Sequence, residues 1–153
     1  PDTDGVADAF LNKLREVTGL SDSAMSKVPL AVVLGKIDSA LLRQSLGEAA
    51  VRRLRAADPE KGADFFDAQD YLCRSFLRGR GQANFLNLVE ERFRVNRFFA
   101  CSAIGHTRGS GPYQPEGVLA PVEWICQLAD PQLAALWAEH HFSRAPFGAA
   151  KEG

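Results

Sequence analysis

The chain is poor in cysteine, has no long apolar run and carries no excess of charge of one sign. Its three cysteines are odd in number and show no Cys-x-x-Cys spacing, which argues against a disulfide framework and a zinc site and favours a reducing, cytoplasmic setting. We find no apolar run of about 18 residues and no signal pattern, so no membrane span is expected. Because 18 basic residues balance 19 acidic ones, no general attraction to nucleic acid is predicted.

The length and composition fit one globular domain. With 153 residues, 46% of them hydrophobic, the chain can bury roughly two-thirds of its unfolded surface in a single core. We expect this domain to span residues 1–142 and a flexible tail to follow at residues 143–153. Because the chain begins with Pro1 rather than methionine, we also expect it to be a processed product or a piece of a longer protein.

Two short apolar runs are predicted as strands among helices. The runs at Leu30–Leu34 and at residues 95–101 are too short for helices, and the first is rich in valine, which is typical of a buried parallel strand. Apolar residues at three- and four-residue steps predict helices over residues 6–17, 39–56, 64–77, 82–93, 118–128 and 131–141. The segment 106–117 is rich in glycine and proline and is predicted as a surface loop, and residues 21–27 form a polar stretch.

This order of elements predicts an α/β fold, a partial doubly wound parallel sheet that is rich in helix. Two strands are few for such a sheet, which normally has about five or six. Either the chain is unusually helical, or it is the second half of a domain whose earlier strands lie elsewhere.

Each predicted strand ends in a short motif. The first strand is followed by Gly35-Lys36-Ile37-Asp38, and the second by Ser102-Ala103-Ile104-Gly105. In open α/β sheets, ligands bind beyond the carboxyl ends of the strands, and both motifs fall there. We therefore predict that the two motifs form one binding site.

The side chains of the motifs suit a guanine base. The Asp38 carboxylate can accept hydrogen bonds from the N1 and N2 donors of guanine, a pair that adenine does not offer. The aliphatic stem of Lys36 can lie over the base, with its ammonium near ribose oxygens. Ser102 is expected to orient the second loop, so that the Ala103 backbone N–H donates to the guanine O6 atom and Ile104 helps to close over the base.

These motifs resemble the two base-recognition motifs of P-loop GTPases. The chain is similar to the carboxyl-terminal half of such a domain, of the Ras-like and translation-factor class, nearest to bacterial double-GTPase or GTPase-like proteins. The resemblance covers about residues 30–128. Gly35 stands where the family usually has asparagine or threonine, and 64 positions separate Asp38 from Ser102, which requires a large helical insertion at about residues 41–93.

The resemblance implies GTP or GDP as the ligand and a switch protein as the function. The pattern Gly-x-x-x-x-Gly-Lys-Ser/Thr, which holds the phosphates in this family, does not occur in the 153 residues. Magnesium binding and GTP hydrolysis are therefore expected only if a P-loop half is supplied, and this chain alone is expected to lack catalytic residues.

A second function class stays open. The chain is alternatively a non-catalytic protein-interaction module, in which the helices at about 41–93 dock a partner protein through Arg52, Arg53 and Arg55 while the loop at Gly35 binds nothing. In that case Lys36 is solvated and Asp38 only caps the helix that begins near Ser39.

Other polar residues have plainer explanations. Six arginines between Arg74 and Arg97 alternate with phenylalanines, which superficially resembles a nucleic-acid surface, but the spacing favours phenylalanines in the core and arginines in solvent. His106 is expected to be exposed, and His140 and His141 lack a third metal ligand at useful spacing.

Overall fold

The computed structural model describes residues 3–37, 39–105 and 111–132, which form seven helices and two strands. The elements are α1 (Thr3–Thr18), α2 (Asp22–Met25), β1 (Leu30–Leu34), α3 (Ala40–Leu46), α4 (Glu48–Ala57), α5 (Phe65–Gly79), α6 (Ala83–Arg92), β2 (Asn96–Ala100) and α7 (Ala120–Ala129). The chain divides into two compact units, Pro1–Pro121 and Val122–Gly153. The predicted helix at 131–141 and tail at 143–153 lie almost wholly outside the described residues, so the boundary of the predicted domain stays a prediction.

The two strands form a parallel pair. Leu30 lies opposite Asn96 and Leu34 opposite Ala100, so the strands begin and end at the same level. Parallel strands need a long crossover connection, and here the helices α3 to α6 provide it. A helix-rich α/β arrangement with a small parallel sheet is thus confirmed, whereas a doubly wound sheet would need strands beyond these two.

One face of the sheet packs on the main core. Leu30, Val32 and Leu34 contact a cluster of buried residues, as the alternation of side chains along a strand requires. Val33 points to the other face and is 45% exposed. The prediction that the whole run is buried was therefore wrong for this position. The buried members of the cluster are Ile37, Leu46, Cys73, Leu86, Val89, Phe98 and Ala100.

The predicted helix over residues 39–56 is interrupted at Gly47. This buried glycine is extended (φ −72°, ψ 173°) and ends α3 as it begins α4. A Cβ atom at this position would lie 2.6 Å from the Arg43 carbonyl oxygen, so only glycine lets the chain pass this close. The continuous apolar pattern on both sides of Gly47 hid the break.

Helix α2 was missed because its sequence is short and polar. Ser21 caps it, and the Ser21 side chain accepts a hydrogen bond from the Ala24 backbone N–H. The helix brings Met25 into a second core cluster with Leu11 of α1 and Phe93.

Helix α5 closes the outer edge of β2 with polar side chains. Asp70 Oδ1 accepts a hydrogen bond from the Phe98 backbone N–H at 2.7 Å, and Gln69 Nε2 donates to the Ala100 carbonyl at 3.4 Å. Arg74 bonds both Asp70 and the Asn96 side chain, at 2.8 and 2.7 Å. The prediction of a solvated arginine was wrong for Arg74, whose side chain is 15% exposed and lies 4.5 Å from the Phe98 ring centroid.

The opposite edge of the sheet, along β1, is open in the part of the chain that the structure describes. The Leu30 N–H donates to Val95, and the Leu34 carbonyl accepts from the Cys101 N–H, so both groups point toward β2. Because successive N–H groups of a strand point to opposite sides, those of Ala31 and Val33 point away from β2. No described strand pairs with them.

A search of the described residues for a transmembrane segment found no helix with the length and apolar character to cross a bilayer.

We expect Asp70→Ala to lower the free energy of unfolding by about 2–4 kcal/mol, because it leaves the Phe98 N–H without its acceptor and removes one carboxylate from the partly buried Arg74. Asp70→Asn keeps an acceptor oxygen and should cost less. Urea unfolding measures both. The control is Asp22→Ala, which removes an ion pair to Arg15 at a side chain 65% exposed and should cost less than about 1 kcal/mol. Equal losses at the two aspartates would contradict the role given to Asp70.

Candidate functional site

The carboxyl ends of the two strands bring the two predicted motifs side by side. The Cys101 N–H donates to the Leu34 carbonyl at 2.9 Å, and one step further the Ile37 N–H donates to the Cys101 carbonyl at 3.2 Å. We call residues 35–39 the first loop and residues 102–105 the second loop. Because the strands end at the same level and the bonding continues past them, the two loops leave the sheet as neighbours.

The first loop has one buried anchor and an exposed, left-handed residue before it. The Ile37 side chain is fully buried in the main core, whereas Gly35 and Lys36 are exposed. Lys36 has φ +63°, a conformation that costs a non-glycine residue about 1–2 kcal/mol. Such strain is often found at ligand-binding sites. Asp38 itself lies outside the described residues, and Ser39 beyond it occupies the N-cap position of α3.

The second loop is held from inside by Ser102. This residue is 1% exposed, and its Oγ accepts a hydrogen bond from the Gly105 N–H at 2.9 Å. Its backbone exchanges two 2.9 Å hydrogen bonds with Glu116, as a short antiparallel bridge. Ala103 and Ile104 are exposed between these fixed points. The serine hydroxyl therefore sets the shape of the loop, and the next two residues face solvent.

Gly105 fits the second loop because it has no side chain. It is buried with φ +82°, and a Cβ atom there would lie 1.6 Å from the Gln114 carbonyl oxygen. The Gln114 N–H in turn donates to the Ile104 carbonyl at 2.9 Å. The chain therefore returns past the loop in direct backbone contact with it.

Arg43 adds a contact that the sequence did not predict. From α3, which directly follows the first loop, its guanidinium donates to the Gly105 carbonyl at 2.6 Å and lies 3.9 Å from the Glu116 carboxylate. The apolar spacing of the predicted helix over residues 39–56 puts Arg43 on its outer face, where an arginine is ordinarily solvated. No local signal in the sequence indicates a bond to a residue 62 positions away.

The cysteine between the strand and the second loop is not an activated nucleophile. Burial raises the pKa of the Cys101 thiol above its ordinary value, so the thiol stays protonated near neutral pH. Burial also raises the pKa of Cys73, in the main core, to about 12.

The arginines proposed as a docking surface all have partners within the chain. Arg52 pairs with Glu48, Arg53 donates to the Gln44 carbonyl at 2.9 Å, and Arg55 donates to the Gly62 carbonyl at 3.2 Å. The predicted roles of His106, His140 and His141 concern residues outside the described part of the chain.

Comparisons of the chain with protein-family models, with curated proteins and with solved structures gave no match. The assignment of a function therefore rests on the geometry of the two loops.

We expect Gly105→Ala to lower the free energy of unfolding by more than about 3 kcal/mol, because the new methyl group would overlap the Gln114 carbonyl in a backbone conformation that alanine disfavours. The control is Gly79→Ala, at the end of α5, where the new Cβ atom meets nothing within 4 Å and the lower backbone entropy of the unfolded chain should stabilise the fold by about 0.4–1 kcal/mol. Urea unfolding curves measure both, and losses of similar size would show that the second loop is not tightly packed.

Proposed function

We propose that this chain is the guanine-binding portion of a GTPase-like switch protein. Lys36 and Asp38 of the first loop recognise the base and ribose, and Ser102, Ala103 and Ile104 of the second loop close over the base. The observation that carries the proposal is the parallel, level pairing of β1 and β2, which makes neighbours of two loops 64 positions apart in the chain.

The distribution of buried and exposed residues in the loops supports the proposal. Each loop has a buried residue that fixes it, Ile37 in the first and Ser102 in the second. Lys36, Ala103 and Ile104, which the proposal needs at the ligand, are exposed. A purine has two apolar faces and a polar edge, so a site for it needs side-chain stems above the ring and fixed N–H groups at its rim.

The phosphates and magnesium of a bound nucleotide would be held by residues that these 153 do not supply, since the P-loop pattern is missing from them. We therefore assign no hydrolysis to this chain alone and expect it to bind guanine nucleotides weakly, through the base and ribose. Gly35 is exposed, and a Cβ atom at this position would meet no described atom within 4 Å.

The decisive test is Asp38→Asn. An asparagine would donate where the carboxylate accepts, so we expect affinity for GDP to fall by roughly 5- to 100-fold and affinity for xanthosine diphosphate to rise. Nuclear magnetic resonance titrations of the chain with each nucleotide measure this. Asp58→Asn, far along the chain beyond α4, is the matched control and should change neither affinity. If Asp38→Asn leaves GDP binding unchanged, the proposed base recognition is wrong and the interaction module becomes the better hypothesis.

The open edge of β1 gives a second test, which asks whether the chain is half of a domain whose other strands lie elsewhere. An uncharged strand edge with free N–H and carbonyl groups readily pairs with another strand, so we expect the isolated chain to self-associate. Sedimentation velocity over a dilution series should show reversible dimers or larger species. Val33→Lys, which adds a charge to the edge strand, should shift them to monomer, whereas Val28→Lys, at an exposed valine just before the strand, should not. A monomer at all concentrations would argue against missing strands at this edge.

A further inference from the structure

We propose that Arg43 is a positioning residue, which holds the second loop so that the Ala103 backbone N–H meets the O6 atom of a guanine base. The inference rests on the proposed function and adds a residue that touches no part of the ligand itself.

Arg43 connects the segment after the first loop with the end of the second loop, and it lies near a residue that is bonded to the start of the second loop. It lies in the first turn and a half of α3, which begins directly after the first loop. Its guanidinium donates to the Gly105 carbonyl, at the end of the second loop, and lies near Glu116, whose backbone is bonded to Ser102 at the start of that loop. A single planar cation thus lies across the base of the loop.

The Arg43 side chain is 50% exposed, and its stem and its guanidinium each have a neighbour. Where α3 ends, the buried Gly47 lies beside the stem, so that an added Cβ atom there would lie 3.2 Å from the Arg43 Cγ atom. At the other end, the Gly105 carbonyl belongs to a buried residue whose N–H is already bonded to Ser102. The hydrogen bond from Arg43 therefore joins two parts of the backbone that have little freedom to move.

The position of Arg43 affects the contact to the guanine O6 atom more than the contacts to N1 and the 2-amino group. Arg43 touches the second loop, which carries the Ala103 N–H expected at O6. The proposed function assigns the N1 and 2-amino groups of guanine to Asp38, in the first loop, and the described neighbour Ile37 donates to the Cys101 carbonyl without involving Arg43. Removal of Arg43 should therefore weaken recognition at O6 and leave recognition of the 2-amino group intact.

The test compares three nucleotides on the intact chain. GDP carries all the groups, inosine diphosphate lacks the 2-amino group, and 6-thioguanosine diphosphate has a weaker acceptor in place of O6. For Arg43→Ala we expect GDP to bind about fivefold more weakly. The ratio of GDP to 6-thioguanosine diphosphate affinity should fall toward one, while the ratio of GDP to inosine diphosphate affinity should not change. Arg43→Lys, which keeps a cation and one donor, should give intermediate values.

Arg53→Ala is the matched control, because it also removes an arginine that donates to a backbone carbonyl, that of Gln44, and it should change no affinity. If Arg43 has a merely structural role, its replacement will lower both affinity ratios, GDP to 6-thioguanosine diphosphate and GDP to inosine diphosphate, or neither of them. Either result, seen with both Arg43 variants, overturns the proposal. Unchanged GDP binding overturns it as well. If the unaltered chain shows no preference for guanine over adenine nucleotides, the proposed function itself fails. A guanine preference that Arg43→Ala leaves intact at O6 refutes the role of Arg43 alone.

Discussion

The hydrogen-bonded pairing of two five-residue strands, parallel and level at both ends, is the interaction on which the rest of the structure depends. It requires a long crossover, which four helices fill, and it provides the main core with one face of the sheet. It also continues past the last strand residues through Cys101 and Ile37. A shift of one residue in this register would turn either Val32 or Phe98 away from the core and would offset the two loops by one residue.

The two edges of this sheet differ in the groups that cover them. Along β2, helix α5 supplies a row of polar side chains, which bond the Phe98 N–H and the Ala100 and Asn96 carbonyls at that edge. One polar atom of these α5 side chains is unsatisfied, because the Oε1 atom of Gln69 is buried with no hydrogen-bond partner. Along β1 the described chain offers no such row. Among the described residues, the sheet is therefore covered by α5 along β2 and has no strand or polar row along β1.

The candidate site combines rigid supports with exposed tips. Ile37 and Ser102 fix the two loops by burial, Gly105 allows the backbone to pass Gln114 closely, and Arg43 ties the second loop to α3. Lys36, in its left-handed conformation, and the pair Ala103 and Ile104 project from these supports. Binding sites built in this way lose little conformational entropy when a ligand arrives, because the loops are ordered beforehand.

The sequence by itself determined most of the elements and their type, although it did not indicate the short helix α2. The strand Leu30–Leu34 and the helices α1, α5 and α6 agree with the periodicity to within three residues at each end, because side-chain spacing is a local property of the chain. It also indicated the two motifs, since each follows a strand. Only the tertiary structure decided the burial of Arg74 and the bond from Arg43 to Gly105. These depend on atoms that folding brings close, from 22 and 62 positions away, and no local pattern encodes such contacts.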